Sequence, residues 1–361
     1  MTKYKVGVIG ATGMVGQMYV SLLQNHPWFK VTFVAASSRS AGMSYVEATA
    51  GRWNMASPIP RDVKNLMVAD AENVELALKN CDLVFSAVEM PEKQMVRDLE
   101  EKYAAVGLPV VSNASANRSV EDVPMLIPEI NPHHTKIIPA QQKRHGWKRG
   151  FIVVKPNCSL QSYLTPIYAL QHAGYPISQI FLTTLQAVSG AGYPGVASLD
   201  IVDNVVPFIR GEEEKTEIEP LKILGDIRSG KFVKVKGLSI SAHCTRVPVT
   251  DGHLACVNIK FRGKVPSKEK IIKIWRQFSA PPQKYSLPSA PKHPIIYLEE
   301  ENRPQPKKDR MNENGMAVTV GRLRECPIFD YKFVSLSHNT IRGAAGGGIL
   351  NAELLVKQGY L

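Results

Sequence analysis

The sequence predicts an α/β protein of two domains: a doubly wound sheet of parallel strands, followed by an α+β domain with a mixed sheet. Short apolar runs alternate with helical stretches up to residue 111, and a glycine-dense loop joins the first run to the first helix. Beyond residue 150, β-rich runs dominate and helices are fewer. The first pattern is typical of parallel strands covered by helices, and the second of a mixed or antiparallel sheet. A chain of 361 residues with 44% hydrophobic content can build two cores.

Hydrophobic periodicity places the elements in order along the chain. In the first domain we predict strands at 5–9, 31–36, 83–87 and 109–111. We also predict one helix that ends at residue 25 and two more at 71–79 and 91–106. In the second we predict strands at 152–154, 180–185, 236–241, 254–261, 316–322 and 331–336, a helix up to 173 and a final helix at 349–358. Residues 211–219 form a predicted acidic linker, and 281–315 a surface excursion or subunit-contact loop rich in Pro, Lys and Asn.

The composition limits the possible partners. The net charge of +12 suits either nucleic acid or acidic small molecules. Because the basic residues are spread along the chain with few aromatics among them, we favour an anionic cofactor and an anionic substrate over nucleic acid. Five cysteines without a CxxC pair indicate neither a disulfide framework nor a metal site. With no apolar run long enough for a membrane span, the sequence predicts a cytoplasmic protein.

The loop Gly10-Ala-Thr-Gly-Met-Val-Gly16 lies between the first strand and the first helix. Glycines there permit a tight turn and let the backbone approach a pyrophosphate at the helix N-terminus, as in Rossmann-type dinucleotide-binding domains. A merely structural turn is the alternative. The second strand ends in Ser37-Ser38-Arg39 without a carboxylate for a ribose 2′-hydroxyl. This favours NADP(H) over NAD(H), unless Arg39 is simply a solvated loop residue.

Two residues stand out as candidates for covalent chemistry. Cys158 lies where the strand at 152–154 ends and a helix is predicted to begin, so it is either a packing residue or a nucleophile stabilised by the helix N-terminus. His253 follows the turn signal Asp251-Gly252 and opens the next strand. A histidine at such a junction can project into a cleft, although a structural role is equally compatible with the pattern.

Several separated motifs together resemble the aspartate-semialdehyde dehydrogenase family. They are GATGMVG (10–16), SNASANR (112–118), PNCS (156–159), LQAVSGAG (185–192), EPLK (219–222), RVPVTDGH (246–253), RPQP (303–306) and HNTIRGAAGG (338–347). The similarity extends over nearly the whole length, and the residues of RVPVTDGH and RPQP resemble those of the fungal and archaeal branch of the family. The resemblance implies NADPH-dependent reduction of L-aspartyl-4-phosphate to L-aspartate 4-semialdehyde, with release of inorganic phosphate, on the route to lysine, methionine and threonine.

The resemblance also assigns roles to residues of this chain. It implies Cys158 as the nucleophile, His253 as the general acid/base and Gln186 as the residue that orients the acyl group. The implied substrate-binding residues are Arg246 for the α-carboxylate, Glu219 for the amino group, and Lys222, Arg118 and Asn157 for the phosphate. The implied cofactor-binding residues are Gly10, Thr12, Gly13, Met14, Val15, Ser37, Ser38, Arg39, Ser86, Ser189, Gly190 and Asn339, and no metal is implied.

The same resemblance suggests the domain boundaries and the rival functions. Residues 1–156 and 339–361 would form the NADP-binding domain, and 157–338 the catalytic and oligomerisation domain of a homodimer or homotetramer. Malonyl-CoA reductase and N-acetyl-glutamyl-phosphate reductase share parts of this chemistry and remain alternatives. A non-catalytic NADP-binding regulator is a further alternative of a different class.

Overall fold

The first domain is built on a six-stranded parallel sheet. The computed structural model describes residues 3–361. The strands are β1 (Tyr4–Ile9), β2 (Phe29–Ala36), β3 (Val68–Asp70), β4 (Leu83–Ser86), β5 (Val110–Ser112) and β6 (Ile152–Val154). They lie in the order β3-β2-β1-β4-β5-β6, and all pairs are parallel. The order reverses between β1 and β4, which opens a crevice at their carboxyl ends.

Helices cover both faces of this sheet, as the alternating sequence pattern predicts. They are α1 (Met14–Leu22), α2 (Tyr45–Ala48), α3 (Val74–Asn80), α4 (Lys93–Ala105) and α5 (Ile138–His145). The strands are buried on both faces, with Val6, Val8 and Ile9 of β1 fully inaccessible. Such strands appear in sequence as continuous apolar runs because neither face meets water.

The second domain contains a six-stranded mixed sheet and a small hairpin, so the predicted fold class is confirmed. Its strands are β7 (Ile177–Gln186), β8 (Asp226–Arg228), β9 (Lys231–Val233), β10 (Ser239–Arg246), β11 (His253–Phe261), β12 (Ile295–Leu298), β13 (Val318–Glu325) and β14 (Tyr331–Ser337). The large sheet has the order β10-β7-β11-β14-β13-β12. Two of its pairs, β7 with β10 and β12 with β13, are parallel, and the others are antiparallel.

One sequence prediction for this domain is wrong, and a second is incomplete. The helices here are α6 (Leu164–His172), α7 (Ser198–Ile201), α8 (Glu212–Ile223), α9 (Lys268–Gln277), α10 (Pro281–Lys284), α11 (Pro306–Asp309) and α12 (Gly346–Lys357). The predicted acidic linker 211–219 is the first part of α8, whose three N-terminal glutamates complement the positive end of the helix dipole. The predicted excursion 281–315 is not irregular throughout, because it contributes β12 to the edge of the sheet.

The C-terminal helix α12 returns to the first domain. Ile349, Ala352 and Leu355 share a buried cluster with the β1 residues Val6 and Val8. The predicted boundary at 156/157 falls between the last strand of the first sheet and the first strand of the second. No helix within residues 3–361 combines the length and the hydropathy that a membrane span requires.

Candidate active site

The glycine loop turns sharply between β1 and α1. Gly10 has φ +76°, and a Cβ on it would lie 2.5 Å from the Ala87 carbonyl oxygen, so only glycine fits. Gly13 precedes the first turn of α1, and the nearest atom to a Cβ there is 3.6 Å away. The helix N-terminus is therefore open toward the crevice between β1 and β4, where its N–H groups suit an anion.

A pocket runs along this crevice and collects most of the predicted cofactor residues. The predicted residues that line it are Gly10, Thr12, Gly13, Met14, Val15, Ser37 and Arg39. Ser38 is exposed between the last two. Arg52 also lines the pocket, although no sequence motif distinguished it. Two arginines, Arg39 and Arg52, in one pocket suit a dianionic phosphate.

Ser86 does not reach this pocket. Its side chain is fully buried at the end of β4, and its hydroxyl donates a 2.6 Å hydrogen bond to Glu100 Oε1. Ser112 donates a second bond of the same length to that oxygen, and Asn117 donates to Oε2. These three bonds satisfy a buried carboxyl group and belong to the core of the sheet.

Cys158 follows β6 at the junction between the two domains. It precedes a 3₁₀ turn, Ser159–Ser162, which Tyr163 (φ −131°) separates from α6. The prediction that an α-helix begins at Cys158 is therefore wrong, and Cys158 does not occupy the N-terminus of a long helix. Burial and the nearby Glu212 carboxylate raise the pKa of the Cys158 thiol, and Lys155, Arg118 and Arg246 oppose this rise.

His253 lies directly against the nucleophile. Its Nε2 is 3.3 Å from Sγ of Cys158, and its Nδ1 accepts a 3.0 Å hydrogen bond from the Ala187 N–H. This bond fixes the neutral tautomer with the proton on Nε2, facing the sulfur. Burial and the charge of Arg246 lower the pKa of His253 to about 3, so the imidazole is neutral.

Strand pairing brings three predicted site residues together at the ends of three neighbouring strands of the second sheet. Arg246 at the end of β10 pairs with Gln186 at the end of β7, and His253 begins the adjacent β11. Arg246 Nη1 donates to the Ala187 carbonyl at 2.8 Å. A Cβ on Gly190 would lie 2.7 Å from that Nη1 and 3.0 Å from His253 Cε1, so the 188–191 turn closes over both side chains.

The hydrogen bonds of this site converge on the carboxylate of Glu212. The sequence pattern predicts this residue in an acidic linker. It accepts from Asn157 Nδ2 at 2.9 and 3.0 Å and from Gln186 Nε2 at 3.2 Å. Lys215, one turn along α8, donates to it at 2.8 Å. Burial opposes its ionisation, but Lys215 and these donors outweigh burial and hold the pKa of Glu212 below its usual value. Glu212 is therefore a buried carboxylate beside the nucleophile.

The remaining predicted substrate residues form a second group. Arg118 Nη1 pairs with Glu219 at 3.0 Å, and Glu219 also accepts the Asn157 N–H at 2.7 Å. Arg118 lines a pocket that contains Gly190, together with Lys93 and Arg210. These three cations make that pocket a suitable place for a phosphate group.

Lys222 lies outside this pocket and faces the 118–123 loop. Its ammonium donates to the carbonyl oxygens of Arg118, Val120 and Val123 at 2.8–2.9 Å. All three of its donors are thereby used, so it supports the loop that carries Arg118 and has none left for a ligand.

The last two predicted cofactor residues meet at the other end of the crevice. Asn339 Nδ2 donates to Ser189 Oγ at 2.8 Å, and its Oδ1 accepts from the Gly252 N–H at 2.8 Å. One side chain thus ties the 188–191 turn to the turn before His253. Ser189 also lines a cavity beside Met14, at the start of α1.

Comparison with known proteins agrees with this architecture. Residues 5–138 match the family described as semialdehyde dehydrogenase, NAD binding domain, and residues 164–342 match its dimerisation domain. The aspartate-semialdehyde dehydrogenase of Schizosaccharomyces pombe is 44% identical over 99% of both chains. That of Methanothermobacter thermautotrophicus is 46% identical over 97% of this chain and 98% of the relative. The chain belongs to the aspartate-semialdehyde dehydrogenase family.

Solved structures of the family support the same assignment. The Candida albicans aspartate-semialdehyde dehydrogenase, solved with NADP, superimposes with a TM-score of 0.90 at 39% identity, and both chains are covered completely. The Vibrio cholerae enzyme II shares the fold, with a TM-score of 0.76 at 24% identity. Membership in the aspartate-semialdehyde dehydrogenase family makes this chain an oxidoreductase, and the predicted resemblance is confirmed.

Proposed function

We propose that this chain catalyses the NADPH-dependent conversion of L-aspartyl-4-phosphate to L-aspartate 4-semialdehyde and inorganic phosphate, on the route to lysine, methionine and threonine. The observation that carries the proposal is the 3.3 Å approach of Cys158 Sγ to His253 Nε2, beside Arg246 and Glu212. An acyl phosphate can be reduced in two easier steps if a thiol first captures the acyl group. The pair provides that thiol together with an N–H group that can donate a hydrogen bond to the oxygen that becomes negative.

The residues divide the reaction between them. The Cys158 thiolate attacks the β-carbonyl carbon, the C–O bond to phosphate breaks, and a thioester forms. The cofactor, when bound, supplies a hydride to the thioester carbon. His253 Nε2–H donates a hydrogen bond to the oxygen that becomes negative, and the tetrahedral thiohemiacetal anion then collapses to aldehyde and thiolate while the imidazole stays neutral. No net change remains at Cys158 or His253, as a catalytic cycle requires.

Two anion sites and one cation site would hold the substrate. Arg246 is buried beside His253 and suits the α-carboxylate, because a guanidinium binds a carboxylate through two hydrogen bonds. We propose Glu212 for the amino group, in place of the predicted Glu219, because the Glu212 carboxylate lies beside both Cys158 and Arg246. Arg118 lines the pocket with Lys93 and Arg210, which would receive the phosphate.

NADP(H) fits the crevice of the first domain. The open N-terminus of α1 would receive the pyrophosphate, and Ser37, Arg39 and Arg52 would receive the 2′-phosphate. Gly190 and Asn339 would border the nicotinamide. All five cysteines are free, which suits a reducing compartment such as the cytoplasm.

The test is an assay in the reverse direction with aspartate semialdehyde, phosphate and NADP. We expect NADPH formation, and a loss of at least about 10³-fold in Cys158→Ala, since the nucleophile is removed. NADP affinity of this variant should match that of the wild type, which distinguishes an enzyme from a cofactor-binding regulator. NADPH-dependent turnover of malonyl-CoA or an N-acetyl-glutamyl derivative, without activity toward aspartate semialdehyde, would overturn the assignment.

We further propose that the chain forms a homodimer or homotetramer through its second domain. Five large apolar side chains within residues 193–208 are exposed, and exposed apolar side chains in such number usually mark an interface. They are Tyr193, Leu199, Val202, Val205 and Phe208. Multi-angle light scattering should give at least twice the chain mass of 39.8 kDa, and Phe208→Asp with Leu199→Asp should shift it toward one chain. A monomeric wild type at micromolar concentration would contradict this proposal.

A further inference from the structure

Lys155 is a buried cation that the proposed mechanism does not use. It lies three residues before Cys158, and only 3% of it is exposed. Its ammonium donates one hydrogen bond, to the carbonyl of the adjacent Pro156. Within residues 3–361 it forms no salt bridge, whereas Arg118 pairs with Glu219 and Lys215 with Glu212. A buried ammonium without a counter-ion is costly, so its presence requires an explanation.

The groups around Lys155 leave it without an ion pair of its own, because the nearby carboxylates of Glu219 and Glu212 are paired with Arg118 and Lys215. It lines a small internal cavity with Gln161, Glu129 and Arg342. Arg342 Nη1 and Glu129 Oε1 are 2.9 Å apart and form a neutral buried pair. The next residue, Gly343, touches the nucleophile, since a Cβ on it would lie 2.9 Å from Cys158 Cβ. This cluster therefore lies behind Cys158 and carries one net positive charge.

The neighbouring imidazole does not provide a counter-ion for a thiolate. His253 Nδ1 accepts the Ala187 N–H, so a proton added to Nδ1 would face another donor. His253 can donate a hydrogen bond from Nε2 to the sulfur, but it stays uncharged. A negative charge on Cys158 must be balanced by another group.

We propose that the Lys155 ammonium is the cation that stabilises the Cys158 thiolate, which makes Lys155 a positioning residue that acts through the nucleophile. The charges that face the thiol are Lys155, Arg118 and Arg246, opposed by the Glu212 carboxylate. Glu219 neutralises Arg118, and in the proposed function the substrate carboxylate occupies Arg246. Lys155 is the cation that remains. The inference rests on the proposed function only in taking Cys158 as the nucleophile.

The stabilisation is mutual. Burial and the charge of Arg118 lower the pKa of Lys155 to about 7, and the charges of Cys158, Glu219 and Glu212 oppose this shift. When Sγ releases its proton to solvent, the ammonium gains an anion and the thiolate gains a cation. The unfavourable burial of Lys155 in the resting thiol form is thus relieved when the nucleophile forms.

The test is the pH dependence of alkylation at Cys158 in the full-length protein. Iodoacetamide labelling of Cys158 is followed by mass spectrometry from pH 5 to 10, with the exposed Cys256 as the internal control. In Lys155→Met we expect the midpoint for Cys158 to rise by about one pH unit or more, which is about tenfold slower alkylation near neutral pH. The profile of Cys256 should not change. Lys155→Gln, a second neutral variant, should behave in the same way.

Thermal unfolding separates this role from a structural one. Lys155→Met removes a buried charge without a salt bridge, so its melting temperature should equal or exceed that of the wild type. The matched control is Lys222→Met, which removes another buried ammonium and leaves three carbonyls without a donor. This control should melt at a lower temperature.

Two results would overturn the proposal. One is an unchanged Cys158 midpoint in folded Lys155→Met, and the other is a Lys155→Met chain that melts lower or does not fold, which would make Lys155 a structural cation. Neither measurement requires turnover. Failure of the proposed reaction is therefore distinguishable from failure of this inference.

Discussion

At the scale of single residues, the carboxylate of Glu212 organises the candidate active site. It accepts hydrogen bonds from Asn157, Gln186 and Lys215, which come from three separate segments of the chain. Asn157 uses both its amide group and its oxygen within the protein, since Oδ1 accepts from the Ser159 N–H and hydroxyl. It therefore orients Glu212 rather than offering a free amide to a phosphate.

Replacing Glu212 with Gln tests its proposed contact with the substrate amino group. We expect the KM for aspartate semialdehyde to rise by about tenfold or more, because a charge-assisted hydrogen bond contributes about 1.5–3 kcal/mol. The KM for NADP should be unchanged. Glu219→Gln is the matched comparison, and a larger rise there than in Glu212→Gln would return the role to Glu219.

Gly190 allows the catalytic side chains to lie close to the backbone. In Gly190→Ala the new methyl group would lie 2.7 Å from Arg246 and 3.0 Å from His253, so one of them must move. A displacement of this size should lower kcat/KM by about 10²-fold. Stopped-flow or steady-state assays measure this loss, and circular dichroism should show an unchanged fold. Wild-type kinetics in the variant would mean that the turn moves aside freely.

At the scale of elements, the ends of strands position the site. β7 ends at Gln186, β10 ends at Arg246, and β11 begins at His253. The pairing register of these strands fixes the spacing of the three side chains. The nucleophile lies at the junction between the two domains, shortly after the end of β6. The site therefore exists only when the two sheets are docked, and α12 helps to hold that arrangement by packing on the first domain.

At Gly348, α12 packs directly against Tyr19 of α1. A Cβ on Gly348 would overlap the hydroxyl of Tyr19. Tyr19 is fully buried and accepts a hydrogen bond from Asn113. Gly348→Ala should lower the free energy of unfolding by about 1–3 kcal/mol, measured by urea denaturation. In the Tyr19→Phe background the loss should be smaller, and equal losses in both backgrounds would contradict this contact.

At the scale of the whole molecule, buried neutral histidines make the fold sensitive to acid. Burial lowers the pKa of His134 to about 4, and that of His253 to about 3, from an ordinary value of 6.5. Below pH 6.5 the unfolded chain binds protons that the native chain does not bind. The contribution of these two histidines to stability is therefore complete above pH 6.5 and is lost as the pH drops toward 4 and 3.

Urea denaturation at pH 7 and pH 5 checks this dependence. We expect the free energy of unfolding to fall by about 1–2 kcal/mol for each of the two histidines. His134 lies away from the nucleophile, between Asn131 and the Gly225 carbonyl. His134→Gln should therefore reduce the difference between the two pH values while Cys158 remains reactive. A difference as large as that of the wild type would show that other groups cause the acid sensitivity.

The sequence predicted the class of each domain and the core of the catalytic pair, but not every local assignment. Alternating apolar and helical stretches indicated the first sheet because buried parallel strands leave a strong local pattern. The prediction of a linker at the acidic start of α8 is wrong because a run of glutamates occurs both in solvated loops and at helix N-termini, and composition does not distinguish them. The Glu212–Lys215 spacing of three residues was the available signal for a helix.

The sequence by itself determined the fold class, the glycine loop and the presence of a cysteine and a histidine in motifs of one family. Each of these depends on residues close together in the chain. Only the tertiary structure decided which carboxylate faces the nucleophile, because Glu212 and Glu219 have similar surroundings in sequence and differ in what packs against them. It also decided that Lys222 is saturated by carbonyls while Lys155 carries its charge unpaired behind Cys158. Burial and partners set the energy of a charge, and both arise from distant segments that meet on folding.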